Sequence, residues 1–414
     1  MTQVRSKERL WTRDLVLASM ANLFLAFVFY LLMTTMAGYA IERFSASDTI
    51  GGLTSSVFVI GATVARLFAG NLADLVGRRR TLTISLVVFL IASLSYLPAD
   101  ALDSLGVLLV VRAIHGVAFA TASTAAMTLA QSLIPASRRA EGTGYFTLSI
   151  TLATAIGPFV ALLLVHGPGY RALFTAGCIA SALAMITALF LRTPHVPLPA
   201  EQRARLRRFH PRDMLHANVV PVASFMFVMA VSYSGVLTFL NSYANERGLE
   251  TAASVFFLVY AAVLFLSRFV AGPLQDRRGD NLVVYVAIGA FAAGLAVLAA
   301  AHTNTVLLLA GGLMGLGFGT LMSALQSIAV ARVPMPRIGV AISTHFLMVD
   351  LGVGVGPVLL GLLLSHTGYT RMYLLLATVV LLSAALYHLV HGRVDQARRR
   401  QTDPVEVAEP AAAQ

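Results

Sequence analysis

Asp350 is the residue with most to say about chemistry. Of the 19 acidic residues in the chain it alone falls deep inside an apolar block, residues 339–364. A carboxylate at the centre of a bilayer costs about 2.5–3.5 kcal/mol on insertion scales, so such a residue faces a cavity or pairs with another group. Burial disfavours the charged form of a carboxyl group, which suits a site that takes up and releases protons. His345 lies five residues earlier, and its imidazole titrates in the physiological range. The alternative is a static, hydrogen-bonded carboxylate that fixes a glycine-rich stretch of helix. Arg112 and His115 stand one helical turn apart in the block 105–133. A buried guanidinium needs a partner or a wet cavity; otherwise it snorkels to the interface. His115 can act with it or serve as a hydrogen-bonded packing residue.

Two further groups sit where blocks end. Asp74 and Arg78 lie four residues apart; they can pair, and the carboxylate can also face a neighbouring helix N-terminus. Arg66 and Arg268 each sit one turn before the loop motifs that begin at Gly70 and Gly272, where they can reach the interface or pair near Asp74 and Asp276. Gly157-Pro158 and Gly356-Pro357, with Gly352 one turn before, combine a missing amide donor with close helix approach. They predict bends at which bundles seal or flex, or plain close packing. Polar residues in the first, seventh and eighth blocks (Asn22, Tyr30, Thr34, Thr35, Tyr233, Ser234, Thr238, Asn241, Tyr260) are candidates to line a central cavity. Each could equally bond back to its own helix. Such walls suit an amphipathic or weakly cationic organic molecule, and one acid opposite one arginine would suit a zwitterion.

The elements that must hold these residues are apolar helices. The chain is 57% hydrophobic and 12% charged, with a mean hydropathy of +0.79; a soluble domain carries about a quarter charged residues. Twelve apolar blocks run from 15–41 to 372–391, each near the length that crosses about 30 Å of hydrocarbon. Strand-sized alternation is absent, which argues against an outer-membrane barrel. The first block is too long for the core of a signal peptide. A lone cysteine, Cys178, excludes disulfides and cysteine metal sites. No phosphate-binding glycine loop, metal-binding His/Glu pair or catalytic constellation appears, so neither an enzyme, nor ATP-driven transport, nor a cofactor is expected.

The net charge of +11 is a matter of topology. Arg5, Lys7, Arg9, Arg13, Arg78–Arg80, Arg138, Arg139, the run 192–212, Arg277, Arg278, Arg332, Arg337 and Arg393–Arg400 fall on one side. Only Arg43, Arg171, Arg247 and Arg371 fall on the other. By the positive-inside rule both termini are cytoplasmic. The charge is read as touching anionic lipid, not nucleic acid. Residues 192–215 read as a cytoplasmic linker with a short amphipathic helix, between six-helix units at 1–191 and 216–391. Residues 392–414 read as a disordered tail.

The units repeat each other. Arg66-Leu-Phe-Ala-Gly70-Asn-Leu-Ala-Asp74-Leu-Val-Gly77 aligns with Arg268-Phe-Val-Ala-Gly272-Pro-Leu-Gln-Asp276-Arg-Arg-Gly279. Gly116, Phe119, Thr121, Pro135, Arg138, Gly157 and Pro158 align with Gly315, Phe318, Thr320, Pro334, Arg337, Gly356 and Pro357. Duplicated bundles that rock about a midplane site are a transporter architecture.

Gly70-x-Leu72-x-Asp74-x-x-Gly77-Arg78-Arg79, with its degenerate second copy, resembles the loop signature of the major facilitator superfamily. Arg112-x-x-His115-Gly116 resembles that family's second motif, and Gly157-Pro158 its antiporter motif, though Ala153, Ala161 and Leu162 stand where that motif has glycines. The resemblance covers residues 14–391. It implies an all-α membrane protein of twelve spans in two pseudo-symmetric bundles. It also implies that the Asp74 loop latches the bundles on the cytoplasmic side and that Arg112 takes part in proton transfer or substrate-linked movement; the family's better-known coupling acids lie in spans 1 or 4, where this chain has none. The function expected is proton-coupled export of a small organic molecule, drug-like or metabolic, by a monomer. The alternatives are import by proton symport and a non-transporting sensor. An arginine- and alanine-rich, lysine-poor composition points to a bacterial cytoplasmic membrane.

Overall fold

The computed structural model describes residues 9–46, 48–192, 214–393 and 395. For a few residues inside helices, Asn241 among them, only the backbone is described. The first half supplies α1 (Arg13–Phe44), α2 (Asp48–Val76), α3 (Arg78–Ala101), α4 (Leu105–Leu133), α5 (Arg139–His166) and α6 (Tyr170–Leu189). The second supplies α7 (Val220–Arg247), α8 (Glu250–Arg278), α9 (Asp280–Ala299) and α10 (Asn304–Ala331). A last continuous run is broken at Gly368 (φ 73°, ψ 167°), close to the boundary between the apolar spans Met335–Leu364 (α11) and His366–Gly392 (α12).

Among the described residues there are 12 helices long and apolar enough to span a bilayer, as the apolar blocks predict, and no strand. A helix satisfies its own backbone donors and acceptors, which hydrocarbon demands. The flanks expose large apolar side chains: Ile84 and Ile91 on α3, Ile179 on α6, Leu266 and Val270 on α8, Leu382 on α12. In water such a surface would aggregate; it suits hydrocarbon. The chain is a multi-pass membrane protein.

Two apolar cores form. One joins Tyr39, Phe89, Tyr96, Phe146 and Phe174 of the first six helices; the other joins Phe225, Tyr243, Phe256, Phe291 and Tyr373 of the last six. Val330, Ile338 and Ile342, at the arginine-rich ends of α10 and α11, pack into the first core and tie the bundles together on that face. Between bundles, α2 lies against α11 and α5 against α8, pairs related by the internal repeat. The expected linker, 192–215, falls largely within 193–213 and most of the expected tail beyond 395, both outside the described residues. The tail expected from 392 starts too early: Arg393 and Asp395 are helical, and Asp395 is buried and accepts from the Asn281 amide at 3.2 Å.

One departure from regular helix matters. Residues Gly315–Gly319 of α10 form a π turn. Three glycines in five residues permit the wider coil, and such bulges often sit at working sites.

Candidate functional site

Between the bundles lies a cavity with two lobes that share Tyr30, Ile150, Met322, Phe346 and Val349. The first lobe, about 260 Å³, is walled by α1, α2, α4 and α11 and holds Asn22, Phe29, Phe58, Phe119, Arg66 and Asp350. The second, about 220 Å³, is walled by α5, α7, α8, α10 and α11 and holds Thr151, Tyr233, Tyr260, Arg268 and Gln326.

Asp350 on α11 is ion-paired with Arg66 on α2, the Nε of Arg66 donating to Oδ2 of Asp350. The pair therefore links the two bundles across the first lobe. Arg66 is fixed further by Thr124 Oγ1 on α4 at 3.4 Å and by the Phe346 ring, whose centroid is 4.9 Å from its guanidinium carbon. Its side chain is 8% exposed and that of Asp350 is 22% exposed, so the carboxylate keeps access to the cavity. This corrects the sequence expectation that Arg66 pairs near Asp74. The contact spans 284 positions, and only packing of the bundles brings it about.

The arginine-rich face is closed by two matching contacts. Asp74, at the end of α2, accepts from the backbone amides of Gly339 (2.9 Å) and Val340 (3.0 Å) in the first turn of α11. Asp276, at the end of α8, accepts from those of Ala140 and Glu141 in the first turn of α5, both at 2.9 Å. First-turn amides have no partner within their own helix, and the helix dipole favours negative charge there. Each carboxylate thus caps a helix of the opposite bundle. No ion pair joins Asp74 to Arg78 among the described residues, contrary to the i,i+4 pairing the spacing predicts. Arg78 reaches across instead and donates to the Met335 carbonyl, and Arg337 donates to Asn71 Oδ1 at 3.3 Å. Gly70 and Gly272 allow the approach. A Cβ on Gly70 would run into the backbone of Gly339 and Val340, and one on Gly272 would lie 2.6 Å from Glu141 Cα. Gly77 (φ 103°) turns the chain from α2 into α3 as Gly279 (φ 77°) turns it from α8 into α9.

The family model described as Major Facilitator Superfamily matches residues 18–302 and 251–412. The chain belongs to the major facilitator superfamily. A relative in Escherichia coli O6:H1, the uncharacterised MFS-type transporter YhhS, is 25% identical over 391 residues, covering 92% of this chain and 90% of that protein. Among solved structures, a bacterial homologue of the iron transporter ferroportin in an outward-facing state superposes with a TM-score of 0.77 at 15% identity, covering 92% of this chain and all of that one. The human organic anion transporter MFSD10 superposes with a TM-score of 0.75 at 15% identity, covering 90% and 98%. At these identities the structural likeness establishes the fold.

Within this major facilitator fold the remaining candidate residues are placed as follows. Asn22, Tyr30, Tyr233 and Tyr260 line the cavity. Asn22 also donates to Ser149 Oγ at 2.8 Å, and Tyr233 stacks on Phe318 with centroids 4.0 Å apart. Thr34, Thr35 and Ser234 bond to carbonyls of their own helices. Thr238 is exposed beyond the two lobes, and the side chain of Asn241 lies outside the described residues. Arg112 is buried, not snorkelling: Nε donates to the Thr54 carbonyl at 2.9 Å and the guanidinium carbon sits 4.6 Å from the Phe58 centroid. His115 bonds Tyr96 Oη (2.9 Å) and Ser93 Oγ (3.2 Å), and Ser93 continues to Ser181. This network lies inside the first bundle, behind the Phe58 ring that lines the first lobe, and none of its polar side chains lines either lobe. His345 is fully buried, its ring nitrogens without a hydrogen-bond partner among the described residues, and it lines neither lobe.

The glycine–proline positions pack within bundles. A Cβ on Gly157 would lie 2.7 Å from Tyr30 Cβ on α1; one on Gly352 would lie 2.7 Å from Ala230 Cβ on α7; one on Gly356 would strike Ser234. Sequence reasoning missed Gln326, Thr151 and the π turn. The Gly315-x-Gly317-x-Gly319 spacing was the one available signal for the last.

Proposed function

We propose that this major facilitator transporter is a proton-coupled secondary carrier of a small organic molecule, giving the cavity between its bundles access to one side of the membrane at a time. The observation that carries this reading is the Arg66–Asp350 pair, which joins the bundles at the cavity wall. With Asp350 charged, the pair holds α2 against α11. Protonation removes the attraction and loosens that link, so proton uptake and bundle movement become one equilibrium. The two aspartate caps close the arginine-rich face, which we take as cytoplasmic. The described conformation is then closed to the cytoplasm. The setting we propose is a bacterial inner membrane, with the protein acting as a monomer and both termini inside.

The direction of coupling depends on the charge of the substrate. A cation competes with the proton for Asp350, which gives exchange and export; the Gly157-Pro158 ridge of α5 favours that reading. An anion is drawn in when protonation of Asp350 frees Arg66, so proton and anion load together as in a symporter.

The test uses proteoliposomes with an entrapped pH dye and an imposed pH gradient. Candidate compounds are added to right-side-out and inverted preparations. Coupled flux of at least one compound in the wild type, lost in Asp350→Asn while the variant stays folded and inserted, supports the reading. Wild-type proton coupling retained in Asp350→Asn refutes it.

A further inference from the structure

The internal repeat relates Arg66 to Arg268 and Thr124 to Ser323, and both arginines point a terminal nitrogen at the matching hydroxyl. The same register of 199 that relates Thr124 to Ser323 relates Thr151 on α5 to Asp350 on α11. The first arginine thus meets a carboxylate where the second meets a threonine. Arg268 is 3% exposed and lines the second lobe. Its Nη1 donates to Ser323 and its Nη2 to the Gly319 carbonyl in the π turn of α10 (3.0 Å). Among the described residues its Nε is buried without a partner, and so is Nε2 of Gln326, a residue 1% exposed in the same lobe. Among the described residues no carboxylate lines this lobe. The other titratable groups facing it are the hydroxyls of Tyr30, Tyr233 and Tyr260, neutral at physiological pH.

A buried guanidinium without a counter-charge is strongly unfavourable unless something else supplies the charge. Two unsatisfied donors in one lobe, one of them cationic, form a receptor for oxygen anions. We propose that the second lobe binds the carboxylate of a small organic anion, held by Arg268 and Gln326, with its apolar body lying against Tyr233, Phe318 and Phe346. This rests on the transporter reading above and names its substrate class. It fixes the charge of the substrate and not the direction of coupling, since Arg268 has no carboxylate to lose and can take an anion whether or not Asp350 is protonated.

The test measures thermal stability of the purified full-length protein with benzoate, 4-phenylbutyrate and 2-naphthoate, each beside its matched primary amide and amine. At least one carboxylate raises the melting temperature of the wild type, and the matched amide and amine do not. Arg268→Gln weakens carboxylate binding about 10- to 100-fold, the loss expected for charge-assisted hydrogen bonds. The ligand-free variant melts no lower than wild type, because an uncompensated charge has been removed; a purely structural arginine would give a lower melting point. Arg268→Lys keeps the charge and retains part of the binding. The proposal is overturned if no carboxylate stabilises the wild type, if an amine does so better, or if Arg268→Gln binds carboxylates unchanged. Asp350→Asn separates the two claims. Loss of proton coupling with carboxylate binding intact leaves both standing, whereas unchanged proton coupling with intact binding sinks the coupling reading alone.

Discussion

Asp74→Asn is the sharpest probe of the proposed gate, because the substitution keeps shape and changes only what the side chain can accept. Asp74 receives two buried backbone amides, from Gly339 and Val340, one on each oxygen. An asparagine offers one oxygen. One amide is left facing an NH2 group, and orphaning a buried donor costs about 1–3 kcal/mol. The remaining bond changes from charged to neutral acceptor, a loss of about 1 kcal/mol, and the α11 N-terminus loses a nearby negative charge worth about 0.3–1 kcal/mol. The sum is about 3 kcal/mol. If the contact exists only while the arginine-rich face is closed, the closed-to-open ratio falls about 100-fold. Spin labels at Arg80→Cys and Met335→Cys, in a Cys178→Ser background, report that face by pulsed electron resonance; both positions are exposed. The expected result is a new, longer distance population in Asp74→Asn. A distance distribution identical to wild type, in a variant that is folded and inserted, refutes the capping argument.

Three other outcomes follow from the same contacts. Gly272→Val should open the same face from the other side, since its Cβ would lie 2.6 Å from Glu141 Cα; the spin-label readout detects it. Gly157→Val meets Tyr30 within one bundle, so it should lower the melting temperature by the equivalent of about 1–3 kcal/mol without favouring the open face. Tyr96→Phe removes the hydroxyl bonded to His115 and should cost about 1 kcal/mol of stability while leaving proton coupling intact, which vesicle flux checks.

Much of this was legible in the chain. The apolar blocks fix the helices because hydrocarbon leaves the backbone no other partner, and the Asp74 and Asp276 loops, by recurring in register, mark two matching contacts between the bundles. The partners of those aspartates were less legible. Spacing left two partners open for Asp74, Arg78 or a neighbouring helix N-terminus; the N-terminus offers two amides at once and lets Arg78 reach Met335, and what spacing could not say is which helix supplies it. The Arg66–Asp350 pair could not be read from spacing at all, because local periodicity is blind to a contact between bundles. Thr34 and Ser234 take the second of the two alternatives open to them: a hydroxyl in an apolar helix finds its own carbonyl before it finds a cavity.

The two halves agree at the aspartate caps and disagree in the cavity, and on the proposed mechanism the disagreement has a physical use. Equal caps hold α2 against α11 and α5 against α8 alike, and the chain keeps both. A cavity with both arginines neutralised would hold two internal clamps and no field for a ligand. Thr151 breaks that symmetry. Thr151→Asp restores it, placing a carboxylate at the position that Asp350 occupies for Arg66, in the lobe that Arg268 lines. The variant should melt higher than wild type without ligand, because a buried cation gains a partner, and the stabilisation given by carboxylates to the wild type should disappear. An added clamp between α5 and α8 should also slow transport, since the pair must break in every cycle. Carboxylate stabilisation that survives Thr151→Asp would mean that Arg268 is not where the anion sits.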